Sequence, residues 1–264
     1  MVRTQRIVGA CVLAMGLLLS TTTLAQGFLE GEVRIGVILP PTGALGATSP
    51  EDRLAAAVAR AAAQGAHMAA DEFTFNAEML GIDFALVTVE AAGADAVSAA
   101  AESLRTEHDV FGIVGGFDSV EAEALSSWSA AAGIPFINVG ASDDRLRNEL
   151  CEATVFHVEP SAAMYLDAMA GWYVRSGLRN WYFVKGADEE SEAQYQRALE
   201  TLRERHFGAR SVGESTLESG GDVGELADMV RHATADLVVL LVSASDQLRV
   251  LTALEDGGVE AMVT

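Results

Sequence analysis

Eight short apolar runs recur along the chain, and hardly any of them alternates with polar residues. They fall at residues 33–39, 82–89, 110–114, 134–139, 155–158, 181–184, 237–242 and 259–263. A strand with one wet face alternates, whereas a strand buried on both faces is apolar throughout, as in a parallel sheet between helical layers. The segments between the runs are Ala-rich and helix-permissive, at 54–73, 94–107, 120–132, 162–175, 189–207, 223–232 and 246–255. In the sixth of these, Val223, Leu226, Ala227 and Val230 recur at helical spacing. Such a β-α succession predicts an α/β fold of doubly wound parallel sheets. No repeat or Pro/Gly/Ser-rich linker divides the chain. The expected boundary is therefore a crossover at 157–161, where Ser161 is placed to cap the following helix. This gives units at 26–157 and 158–264.

The first 25 residues stand apart. Arg3 and Arg6 precede an apolar run at 7–19, and Thr23-Leu24-Ala25 has the small-x-small form of a cleavage site. This is the layout of a secretory signal peptide, and the run is too short for a membrane span, which needs about 20 residues. Val8-Gly9-Ala10-Cys11 has lipobox-like residue types, but only Ile7 separates it from the charged end. Export to the periplasm is the expectation. Removing 1–25 takes away Cys11 and leaves Cys151 alone, so no internal disulfide can form; Cys151 is expected to be a small buried side chain.

Charge excludes two classes of partner. The whole chain carries −21, from 17 basic and 38 acidic residues, and −23 without the first 25. Neither nucleic acid nor an anionic membrane surface suits such a chain. Lys185 is the only lysine; a GC-rich gene or a salt-rich medium would each produce that.

In open parallel sheets ligands sit beyond the carboxyl ends of the strands. The first run ends in Pro40-Pro41-Thr42-Gly43-Ala44-Leu45-Gly46, the third in Gly115-Gly116-Phe117-Asp118-Ser119, and the fourth in Gly140-Ala141-Ser142-Asp143-Asp144. Ser119 and Ser142 fall near helix N-termini, where free N–H groups and the dipole favour an anion. Asp118, Ser119, Ser142 and Asp143 can equally be plain helix caps. Catalytic patterns are missing: no G-x-S-x-G, no P-loop, no G-x-G-x-x-G after the first run. His67, His108, His157, His206 and His232 are scattered without metal-ligand spacing. Neither metal nor cofactor is expected. Asp188-Glu189-Glu190 suits a solvated helix start or, less simply, a cation site.

Ile35-Gly36-Val37-Ile38-Leu39-Pro40-Pro41-Thr42-Gly43 resembles the opening strand and loop of type I periplasmic solute-binding proteins, nearest the branched-chain amino acid binding family. Ala69-Ala70-Asp71-Glu72, the 111–116 run, the 132–138 run, the 155–161 run and Ala235-Asp236-Leu237-Val238-Val239 continue the resemblance in order. Residues 140–147 with Cys151 also resemble a branch associated with quinoprotein alcohol dehydrogenase systems. The resemblance implies two α/β lobes around a hinged cleft, no catalysis, a monomer, a small polar ligand (amino acid-like or a small carboxylate) and an ABC permease as partner. The ligand residues it implies are Thr42, Phe117, Asp118, Ser119, Ala141, Ser142, Asp143, Glu189 and Ser243, with Ala141, Ser142 and Ser119 or Val120 gripping a carboxylate. The sequence departs from the pattern at Val120, at Glu189-Glu190 and at Val242-Ser243. The usual aromatic and acidic groups for an ammonium end are thus not visible. Two other readings share the fold: the sensing domain of a receptor, and a periplasmic accessory factor of a quinoprotein dehydrogenase. The chain also stops where the family returns to its first lobe, which implies a fragment or a shortened variant, the fragment being the expectation.

Overall fold

A computed structural model describes residues 32–42 and 50–264. The segment 1–25, for which a signal peptide is expected, and the loop residues Gly43–Gly46 fall outside the described residues. The first unit comprises β1 (Glu32–Leu39), α1 (Pro50–Met79), β2 (Asp83–Glu90), α2 (Ala94–His108), β3 (Gly112–Gly115), α3 (Ser119–Ala132), β4 (Phe136–Asn138), a 3-10 turn (Asp144–Arg147) and β5 (Val155–His157). The second comprises α4 (Ala162–Arg175), β6 (Asn180–Gly186), α5 (Glu189–Glu204), β7 (Arg210–Leu217), α6 (Leu226–His232), β8 (Leu237–Leu241), α7 (Ala244–Asp256) and β9 (Met262–Val263). We call them lobe one and lobe two. The strand order is β2-β1-β3-β4-β5 in the first sheet and β7-β6-β8-β9 in the second. Every pairing is parallel, as the continuous apolar runs require. Among the described residues no helix is long and apolar enough to cross a membrane.

The order places a topological switch in each sheet, where consecutive connections leave in opposite directions. One lies between β1 and β3, the other between β6 and β8, and crevices open at the carboxyl ends of such pairs. Lobe one packs Leu104 of α2 and Leu125 of α3 against Ile38, Ile113 and Phe136. In lobe two β6 points alternate side chains to opposite faces. Trp181 and Phe183 meet Leu166 and Ala170 of α4 and Tyr195 and Leu202 of α5. Tyr182 and Val184 meet Leu226 and Val230 of α6 and Val250 and Leu254 of α7.

Three expectations need correction. β7 is a strand that the apolar runs do not show. It is an edge strand of sequence RSVGESTL, largely polar and only partly covered, so it lacks the continuous apolar run of an inner strand. Cys151 is exposed rather than buried; it sits in a surface turn, its N–H donating to the Asn148 carbonyl at 3.3 Å. The sixth helix starts at Leu226 rather than Val223. Ser161 caps α4 as expected, its Oγ accepting from the Met164 N–H at 3.3 Å.

Candidate ligand-binding cleft

The strand ends that face the cleft are fixed mainly by the chain's own polar groups. At the end of β3 the chain turns at Gly116, whose φ is 75°. A Cβ there would lie 2.9 Å from the Phe136 ring, so the turn needs glycine for both space and conformation. Asp118 caps α3, its Oδ1 accepting from the Glu121 N–H at 2.8 Å. Glu121 is buried, and its carboxylate accepts from the Phe117 N–H at 3.3 Å and the Gly93 N–H at 3.1 Å. The amides that an incoming anion would use are thereby already taken by carboxylates.

The β4 loop hangs on Asn138, which is fully buried. Its Oδ1 accepts from the N–H groups of Gly140 (3.2 Å) and Ala141 (2.9 Å), and its Nδ2 donates to the Ala141 carbonyl at 2.7 Å. Nδ2 also lies 3.1 Å from His157 Nδ1. Donation there requires the imidazole proton on Nε2. Burial, with the Arg147 charge behind it, pushes the His157 pKa down. Gly140 is pressed against lobe one's other cleft loop: a Cβ would meet Phe117 Cα at 2.9 Å. Beyond it, Asp143 caps the 3-10 turn and holds the Arg145 guanidinium at 2.7 Å.

Lobe two contributes the start of α5. Asp188 caps it, accepting from the Ser191 N–H at 2.8 Å and Oγ at 2.7 Å. These bonds hold its carboxyl below the usual range. Glu189 and Glu190 follow in the first turn, where acids suit the dipole. Ser243 caps α7, its Oγ accepting from the Asp246 N–H at 3.2 Å.

Between the lobes lies a cavity of about 800 Å³, lined by Ser119, Asp143 and Arg145 on one side and Glu189, Glu190 and Arg197 on the other. A second hollow of about 640 Å³, with Tyr165, Trp172 and Leu241 in its lining, also includes Ala162 and Gln194 of the first. Glu190 touches Ser119 Oγ at 3.5 Å. Burial first, then the nearby Asp143, Asp188 and Asp118 charges, raise its pKa. The arginines of the cavity all have acidic partners: Arg145 with Asp143, Arg197 with Asp144 at 3.5 Å and Glu200 at 3.0 Å, Arg203 with Glu204 at 3.6 Å. Surplus negative charge therefore faces the space.

Of the candidate residues, Ser119, Asp143 and Glu189 line the larger cavity and Ser142 the smaller hollow. Asp118 and Ser243 are engaged as caps, and Phe117 and Ala141 line neither space. Thr42 donates to Glu90 Oε1 at 3.0 Å, from the end of β1 to the end of β2. Sequence reasoning did not single out Glu121, Asn138, Asp144, Arg145, Gln194 or Arg197 as site residues, and it named Glu190 only within the acidic run 188–190. For Glu121 a signal existed: Asp118-x-x-Glu121 has capping-box spacing. The meeting of Asp144 with Arg197, 53 residues later by their numbers, leaves no local trace.

Two parallel α/β units joined by a crossover, with their strand ends turned to a common space, define the two-lobe type I binding-protein architecture. The family model for periplasmic binding proteins matches residues 32–264, and the chain belongs to that family. No curated protein matches the chain. Among solved structures it is similar to a branched-chain amino acid ABC transporter periplasmic ligand-binding protein from Burkholderia xenovorans LB400 (TM-score 0.74, 14% identity, 88% of this chain and 60% of that one). It is also similar to a Desulfitobacterium hafniense ABC transporter substrate-binding protein in complex with Leu (TM-score 0.70, 16% identity, 88% and 65%). A third is an ABC transporter solute-binding protein from Rhodopseudomonas palustris BisB5 in complex with 3,4-dihydroxybenzoic acid (TM-score 0.62, 16% identity, 88% and 61%). At these identities the likeness speaks for the fold. The chain spans about three fifths of the length of these structures.

Proposed function

We propose that this chain is an exported, non-catalytic solute-binding protein that captures a small ligand between its lobes and delivers it to an ABC permease. The observation that carries the reading is the interlobe cavity of about 800 Å³, lined by residues at the strand ends of both lobes. That volume suits a small molecule. The mechanism needs no covalent step: ligand contacts to both walls favour the closed arrangement of the lobes.

The lining charges favour a ligand that offers a cationic or strongly hydrogen-bond-donating group. The N–H groups of the α3 and β3-loop termini are taken by Asp118 and Glu121, and the lining arginines have carboxylate partners. Glu189 and Glu190 are the groups with capacity to spare. This moves the expectation away from a carboxylate gripped at Ser119 and Ser142 and towards an amine bound near Glu190.

A thermal-shift panel tests the reading. It contains leucine, 3,4-dihydroxybenzoate and small mono- and diamines. A bound ligand at a hundred times its Kd stabilises by about 2.7 kcal/mol, or roughly 5–10 °C for a chain of this size. Amine-bearing compounds should give that rise. Glu190→Gln should reduce their affinity by about 1.5–3 kcal/mol, the worth of a charge-assisted bond. Absence of any shift across the panel at millimolar concentration would overturn the capture reading.

A further inference from the structure

Electrostatics across the cleft is mostly repulsive. Lobe one presents Asp118 and Asp143, and lobe two presents Asp188, Glu189 and Glu190. Burial first, and after it the Asp143 and Asp118 charges across the cleft together with Asp188 on its own side, raise the Glu190 pKa. Arg145, on the lobe-one side, is held by Asp143 and also feels Glu189. Against this background one ion pair attracts across the cleft. Asp144 Oδ2, in the lobe-one 3-10 turn, lies 3.5 Å from Arg197 Nε on α5 of lobe two. Among the described residues this is the ion pair that joins the lobes. The other oxygen, Asp144 Oδ1, accepts from the Ala163 N–H at 3.1 Å, in the first turn of α4. Beside it the Ala162 N–H donates to the Ser142 carbonyl at 2.7 Å, and Arg147 donates to the Glu159 carbonyl.

The two oxygens of Asp144 thus do different work. One is tied to the first turn of α4, next to the chain crossover. The other reaches α5, which carries Glu189 and Glu190 and must move when the lobes part. We infer that Asp144 and Arg197 form an interlobe latch, with Arg197 a positioning residue that sets how often the cleft is closed. The inference rests on the cavity being the ligand site only for its bearing on affinity; the latch itself needs no ligand. The pair is partly exposed, with side-chain exposures of 39% for Arg197 and 24% for Asp144. Its strength should therefore be modest, about two- to five-fold in the closed-to-open ratio, and weaker at high salt.

Pulsed electron spin resonance distances on the ligand-free chain test this. One label goes on the exposed Cys151 of lobe one and one on Glu255→Cys in α7 of lobe two. Arg197→Gln and Asp144→Asn, the latter keeping an oxygen for the Ala163 N–H, should each shift the population two- to five-fold towards longer distances at 50 mM salt. The double variant should go no further than either single one, and Arg197→Lys should retain part of the effect. At 500 mM salt the unmodified chain should approach Arg197→Gln. Unchanged distributions in both single variants, or additive shifts in the double, would overturn the latch. Such a result alongside ligand-induced thermal shifts would leave the capture reading standing, and the converse pattern would leave the latch standing alone.

Discussion

The two lobes hold their halves of the cleft by different means. Lobe two sandwiches its sheet between two apolar layers. One of these is aromatic, with the Phe183 ring 5.1 Å from Tyr195 and 6.3 Å from Trp181. Tyr195 belongs to α5 itself, so the helix carrying Glu189 and Glu190 is fixed by hydrophobic packing. Lobe one has a mainly aliphatic cluster around Ile113, Leu125 and the single buried ring of Phe136, but its cleft loops hang on buried polar side chains, Asn138 and Glu121. Apolar packing is non-directional and tolerates small shifts. A buried hydrogen-bond network fixes backbone direction and fails abruptly when one member is lost. Lobe two should therefore respond to core volume and lobe one to single polar atoms.

The largest effect should come from Phe183→Ala. Phe183 has no solvent exposure, and its removal should cost about 3–5 kcal/mol, read by chemical denaturation. Next comes Glu121→Ala, which leaves the Gly93 and Phe117 N–H groups without their carboxylate. The expected loss is about 1–3 kcal/mol, with amide hydrogen exchange accelerating at the β3 loop but not in lobe two. A loss of under 0.5 kcal/mol would show that water replaces the carboxylate and that lobe one does not depend on this network.

A smaller effect should follow pH. His157 has its pKa depressed by burial and by Arg147, so between its folded and unfolded values the unfolded state binds more protons. Stability then rises with pH through that window and is lost as pH falls below about 6.5, the unperturbed imidazole value. Denaturation at pH 7.5 and pH 5.5 should show the loss, and His157→Asn should reduce it. An identical pH dependence in the variant would remove His157 from the β4 loop's support. Glu190 has the opposite sign: its raised pKa costs stability above the folded value, so Glu190→Gln should raise Tm at pH 7 more than at pH 4.

How much of this was legible follows the same division. The apolar strands of both sheets declare themselves because a doubly buried strand must be apolar at every position. β7 did not, because an edge strand has no such requirement, and its polar residues with Gly213 resemble a loop. Caps at Asp118, Asp143, Ser161 and Asp188 act over two or three residues and lie within reach of local reading. Glu190 facing Ser119, and Asp144 meeting Arg197, depend on how the two sheets with their helices face each other. Nothing local in the sequence encodes that distance.

The smallest expected effect concerns Lys185, the only lysine. It sits on β6, nearly buried, paired with Glu192 of α5, 3.7 Å from Glu214 of β7 and 4.5 Å from the centre of the Tyr195 ring. The arrangement looks like a polar anchor for α5, comparable to Asn138 in lobe one. Its partners differ in kind, though: Glu192 and Glu214 are 47% and 43% exposed and can be hydrated when the lysine is gone. Lys185→Met keeps the length and apolar stem, so the loss should be about 1 kcal/mol or less, shrinking further at high salt. Glu192 and Glu214 raise the lysine pKa above its ordinary value, so the pair's contribution is complete below about 10.5 and fades only at higher pH. A loss above about 3 kcal/mol, insensitive to salt, would mean that α5 depends on a buried charge after all. Lobe two would then be held in the same directional way as lobe one.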